Sequence, residues 1–265
     1  MAATKSATRR ISQVTARPAC AATCGSEDIV PEVSRDPDDL IPFLELVASN
    51  QKANIARFPE PYEIIRRINI CFSTAGRNLV NPKPATVGIL FLRCQYAYKT
   101  AAGMALSGQV CEAFVMMRSC LEYAGYGLII FREPELERVF SSRHAASEDL
   151  RSHRKAFNPG AIKRVLDLSD SDLSNLFEKF YQRTIDFGAH PNPHATFSAM
   201  EMHADNSFTA LAMVTETDHQ VLLHAFKSVA QVGLTALFIF QHVFKAKFEL
   251  LSLRAEMERL RHSGL

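Results

Sequence analysis

Tryptophan is absent from this 265-residue chain, and aromatics do not interleave its main basic run, Arg143 to Arg164. No stacking platform for single-stranded nucleic acid is therefore indicated. Charge of one sign is not in excess either. Thirty Lys and Arg against 28 Asp and Glu leave a net charge of +2, so no global field selects a polyanion as partner. A glycine-rich phosphate loop is missing, as are the Walker, Gly-x-Ser-x-Gly and His-Glu-x-x-His signatures. Long uninterrupted apolar runs are also lacking. Ser228 to Phe244 contains no Asp, Glu, Lys or Arg, but Gln231, Gln241 and His242 interrupt it, and Lys227 and Lys245 close it. That falls short of the roughly 20 apolar residues of a spanning helix. It reads as a buried bundle helix, and no membrane partner is expected.

The six cysteines make neither a zinc set nor a disulfide framework. Cys20 and Cys24 stand alone, with no second pair at ligand spacing. Cys71, Cys94, Cys111 and Cys120 sit inside apolar helical patterns, where a thiol behaves as a small core residue. This usage fits a reducing compartment, and a cytoplasmic location is expected. Met1 to Ser26 carries Lys5, Arg9, Arg10 and Arg17 and no acid. Its Ala, Ser, Thr and Arg composition is that of an organelle transit peptide or of a disordered tail, and the tail is the simpler reading. The expected organisation is a disordered basic tail over 1–36 and a single helical-bundle domain over 37–265.

What is there is mainly α: a multi-helix bundle. Pro61 and Pro84 stand where first turns are expected, and Ser107 to Gln109 reads as the turn of a helical hairpin. The stretch from Val110 to Phe131 is apolar on most of its circumference, which predicts a central helix. Residues 134–157 read as one shorter exposed piece ended by "NPG". Leu173, Leu176, Phe177, Phe180, Tyr181, Thr184 and Phe187 recur at helical spacing, with Ser or Asp available as a cap. A small β-hairpin is expected near 196–214. One long final helix from about Asp218 to Arg261 follows, its charged end free to extend towards a second subunit.

Two clusters carry ionisable groups. Arg118 and Glu122 lie one turn apart on the central helix, which allows a direct pair. Arg183, Asp186 and His190 fall at i, i+3 and i+7, one face of a helix that Pro191 ends near His190. An imidazole near the negative end of a helix dipole is held protonated and suits general acid or base work. Arg183 would supply a fixed cation for an anionic group, and His194 a second imidazole. The bland alternative is a capping histidine beside an Arg–Asp pair. Glu216-x-x-His219 has di-iron spacing but occurs once, so no metal and no cofactor are expected. Arg143, His144, Arg151, His153, Arg154, Lys155, Lys163 and Arg164 form a basic run, offset by Glu148 and Asp149, that reads as a solvated face.

"GQVCEAFVMMRSCLEYAGYGLII" resembles the Glu-Ala, Arg and Glu helix of an uncharacterised family of bacterial helical domains, and "FYQRTIDFGAHPNPH" is similar to that family's Tyr…His segment. A wider resemblance is to HEPN-type (higher eukaryote and prokaryote nucleotide-binding) bundles, many of them metal-independent ribonucleases of toxin and phage-defence systems. These carry an arginine and a histidine four to six residues apart. Arg183 and His190 have six residues between them. The sequence departs from the pattern after the arginine, where Thr184 is followed by apolar Ile185.

The resemblance implies RNA cleavage by a homodimer, with His190 moving the proton, Arg183 stabilising the phosphorus transition state and Asp186 orienting the histidine. The alternative is a non-catalytic helical module that binds a small anionic ligand or a protein partner, with Arg118, Glu122, His190 and His194 around a polar pocket.

Overall fold

A computed structural model describes residues 39–189, 193, 196, 200–203, 207–210 and 215–263. The expected tail over 1–36, and both His190 and His194, lie outside the described residues. Among those described there are eleven helices, one π turn and two short strands, so the mainly-α bundle is what the chain adopts.

Helix α1 (Leu40–Arg57) starts at Asp39, whose carboxylate accepts from Leu40 N–H at 2.6 Å. Phe58 joins it to α2 (Pro59–Arg77), with Pro59 at the first position, where its missing N–H leaves no bond unmade. Helix α3 (Ala85–Ser107) and helix α4 (Val110–Arg132) form the expected hairpin. Gly108 turns it with φ +86°, and a Cβ there would lie 2.6 Å from the carbonyl oxygen of Glu216. Backbone conformation and crowding both select glycine.

The last turn of α3 leaves carbonyls without helical partners. Asn50, Gln51 and Asn54 of α1 donate side-chain N–H groups to the carbonyls of Ser107, Gly103 and Leu106, at 3.3, 2.9 and 2.9 Å. Polar stitching thus fixes α1 to the hairpin.

Helix α4 is central, as its all-round apolar pattern predicts. Ala113, Phe114, Met117, Cys120, Leu121, Ala124 and Leu128 are fully buried. Sequence reading expects one exposed piece after it. The structure has α5 (Leu136–Ser141), α6 (Ser147–Ala156) and α7 (Pro159–Asp167). The "NPG" motif is a start as well as a stop, because the Asn158 side chain accepts from Ala161 N–H at 2.9 Å and Pro159 takes the first position of α7. Helix α8 (Ser171–Thr184) is capped by Asp170, which accepts from Leu173 N–H at 2.9 Å.

Regular α geometry ends at Thr184 and gives way to a π turn, Ile185–Ala189. Strands β1 (Met200–Met202) and β2 (Phe208–Ala210) pair antiparallel, with Glu201 opposite Thr209.

The single long final helix is a correction. Helix α9 (His219–Val243) stops at Phe244, and α10 (Lys245–Leu250) and α11 (Leu253–Arg261) follow, separated by Ser252 at φ +55°. The end does not project. Leu253, Met257 and Leu260 are buried, and Arg67 of α2 donates Nε to Glu256 Oε1 at 2.8 Å. Burial of apolar side chains draws the charged end back onto the body.

Helices α4 and α9 are each long and apolar enough to cross a membrane by length and composition. In the fold 56% and 72% of their apolar windows are buried, as expected of core helices.

Candidate functional site

Helix α4 presents Arg118 and Glu122 towards α8. Arg118 donates Nε to Glu122 Oε1 at 3.0 Å, and the Tyr181 hydroxyl donates to the same oxygen at 2.8 Å. The Arg118 guanidinium lies over the Tyr181 ring, 5.1 Å from its centroid. Both members of the ion pair are about three-quarters buried, with 25% and 26% of their side chains exposed. Burial above all, then the Glu122 carboxylate, pushes the Tyr181 phenol up from its ordinary value, so it stays a donor. Burial is the largest single influence on Arg118 and disfavours its charge, but Glu122 and Tyr181 together outweigh it and its pKa rises. Tyr126, one turn further along α4, is pushed up to about 12, again chiefly by burial, and donates to Phe157 O at 3.3 Å.

The Arg118–Glu122 pair expected from spacing is therefore present. Tyr181 is the partner that sequence reasoning missed. Its signal was available: a tyrosine on the apolar face of an amphipathic helix carries a hydroxyl that must find an acceptor.

Arg183 is two positions beyond Tyr181, about 200° around the helix, and so faces a different neighbour. Its Nη1 donates to Gln231 Oε1 of α9 at 2.6 Å and to Ser228 Oγ at 3.4 Å, and the guanidinium lies over the Phe180 ring at 5.2 Å. Burial lowers its pKa from a very high starting point, which leaves it a cation. Among the described residues no carboxylate lies within ion-pair distance of it.

Asp186 does not join it. Asp186 is exposed and accepts from Gln182 Nε2 at 2.9 Å rather than from Arg183. The Arg118–Glu122 pair and Arg183 consequently occupy opposite sides of α8 and do not form one cleft. The roles expected for His190 and His194 fall outside the described residues.

A cavity of about 160 Å³ lies beside Gln231, bounded by Lys179, Phe180, Thr235 and Phe238. Another, of about 230 Å³, lies along Tyr181, between Gly160, Lys163 and Gln182.

The basic run between 143 and 164 is partly neutralised and partly buried. Lys163 pairs with Asp167 at 3.2 Å and Glu178 at 3.5 Å. His153 is packed between Phe140 and Phe157, and burial lowers its pKa. At the di-iron spacing, the Glu216 carboxylate accepts from Thr217 N–H and Asp218 N–H, both at 2.7 Å, while the His219 ring lies 4.9 Å from that of Phe58. These residues organise the entry to α9. Among the described residues no group of three or more His, Cys, Asp and Glu is placed to hold a metal ion.

No protein-family model matches the chain, and neither the curated proteins nor the solved structures contain a match.

Proposed function

We propose that this protein is a non-catalytic helical module that binds a small anionic ligand at Arg183. The observation that carries the reading is the company this guanidinium keeps. It is partly buried, touches two neutral oxygens and an aromatic face, and faces no acid among the described residues. A desolvated cation without a counter-charge is costly, and an anion relieves that cost. Gln231 holds the fork in one orientation, so little side-chain freedom remains to be lost on binding.

The test is thermal stabilisation by orthophosphate at constant ionic strength. Wild-type protein is expected to gain melting temperature, Arg183→Lys to gain less, and Arg183→Gln to gain nothing. Equal stabilisation of wild type and Arg183→Gln overturns the proposal.

The same guanidinium also supports a second reading, the HEPN-like metal-independent ribonuclease, in which Arg183 would face a scissile phosphate and His190 would move the proton. That reading requires RNA cleavage in the presence of chelator, lost in His190→Ala. Intact RNA after prolonged incubation with concentrated protein removes the catalytic version and leaves the binding version standing.

A further inference from the structure

Where α4 ends, α8 begins and α11 folds back, the chain forms a larger cavity of about 460 Å³. Four fixed cations converge on it from three helices: Arg132 in the last turn of α4, Lys245 at the start of α10, and Arg254 and Arg261 of α11. Among the described residues Arg132 Nη2 donates to the Ser169 hydroxyl at 3.2 Å and meets no carboxylate within ion-pair distance, while Arg261 pairs with Glu258 at 3.9 Å. Among the described residues Lys245 and Arg254 meet no carboxylate within ion-pair distance.

Three acids share the wall, and two of them are engaged. Asp170 caps α8 and faces His242 Nε2 at 3.5 Å, Glu258 stands beside Arg261, and Asp172 is exposed. Leu173, Leu176 and Phe238 supply an apolar lining, which lowers the local dielectric and strengthens every charge interaction above it. A concave site of this size, with a few convergent charged groups over an apolar lining, is the usual form of a small-molecule site.

The arrangement of the cations narrows the ligand. They come from three helices, and the two on α11, Arg254 and Arg261, start about 10 Å apart along its axis, so one phosphate reaches only part of the set and a ligand with more than one charged group is required. Three guanidiniums and one ammonium together suit phosphate oxygens, which Arg takes as a fork and Lys as a point charge. We propose that this cavity binds a small oligophosphate, with Arg254, Lys245 and Arg132 contacting its charged oxygens.

This cavity adjoins the smaller one beside Gln231, with which it shares Leu176, Phe238 and Arg261, but Arg183 lines neither. Gln231 and His242 are eleven positions apart on α9, about 16 Å of helix. Neither proposal rests on the other.

The experiment is calorimetric titration of the full chain with tripolyphosphate, pyrophosphate, orthophosphate and citrate at matched ionic strength. Tripolyphosphate is expected to bind one per chain and more tightly than orthophosphate. Arg254→Gln and Lys245→Gln are each expected to weaken it about tenfold. Both side chains are exposed, so helical circular dichroism should be unchanged, and Arg183→Gln should bind as wild type does. Absence of binding by every polyphosphate at millimolar concentration overturns the proposal. So does undiminished binding in both variants, or citrate binding as tightly as tripolyphosphate.

Discussion

The Tyr181 hydroxyl and the Arg118 guanidinium meet on one oxygen of Glu122, at 2.8 and 3.0 Å, and so tie α8 to α4. Removing one donor differs from removing the shared acceptor. Tyr181→Phe takes away a single hydrogen bond and should lower stability by about 1 kcal/mol. Glu122→Ala strands both a buried phenol and a buried cation and should cost about 3 kcal/mol. Urea denaturation of both variants checks this, and equal small losses would show that the cluster is peripheral to stability.

Alkaline pH should loosen the fold in two stages. Burial pushes the Cys71 thiol from 9.0 up to about 11 and the Tyr126 phenol from 10.0 up to about 12. Each group loses its proton first in the unfolded chain, so above its ordinary value the unfolded state binds fewer protons and stability falls as pH rises. The decline should begin near pH 9, steepen past 10, and level for each group only above its folded value. Cys71→Ala should make the first decline shallower and Tyr126→Phe the second, while Cys94 in the first and Tyr98 and Tyr181 in the second, also held protonated by burial, keep part of each. A stability curve level to pH 11 would contradict the burial of both groups.

Gly125 of α4 faces Ile162 of α7 so closely that a Cβ would lie 2.5 Å from Ile162 Cδ1. Alanine gains up to about 1 kcal/mol of helix propensity over glycine. Overpacking a filled core costs about 1–3 kcal/mol, and here the crowding comes from three atoms of one branched side chain. Gly125→Ala should therefore destabilise despite its propensity, and adding Ile162→Val should recover part of the loss. A stabilised Gly125→Ala variant would show that α7 yields freely.

Deleting residues 245–265 should be severe. Phe248, Leu253, Met257 and Leu260 are buried, and losing them uncovers their seats on the body, at a cost of at least about 4 kcal/mol. The Arg67–Glu256 pair contributes far less, because its side chains are 37% and 21% exposed. Glu256→Gln should cost no more than about 1 kcal/mol. Comparable losses in the two would mean that charge, rather than apolar burial, holds α11 in place.

Helix positions were legible in the sequence wherever the governing physics is local. The periodicity of α8, the turn at Gly108 and the i, i+4 pair of Arg118 and Glu122 need only neighbours along the chain. Breaks decided by packing were not legible. Neither Phe244 nor Ser252 is a proline or glycine, yet the helix ends at both so that Phe248 and Leu260 can be buried. The face shared by Arg183 and Asp186 was inferred from regular geometry. Two local choices keep the pair from forming: Gln182 captures Asp186 one turn away, and a π turn replaces the α-helix beyond Thr184. Tyr181 was visible as a residue, but its acceptor lies 59 positions away in sequence, beyond the reach of any periodic pattern.

Gly188, at φ +154°, lies against the backbone of Cys111, and Glu216 N–H donates to Gly108 O at 2.8 Å. The stretch between them, which includes His190 and His194, thus departs from and returns to neighbouring points on the α3–α4 hairpin. With both moorings fixed, closure entropy changes only logarithmically with the length of chain between them. Residues inserted or removed between these two anchors should therefore leave the stability of the helical frame nearly unchanged, as denaturation of such variants would show.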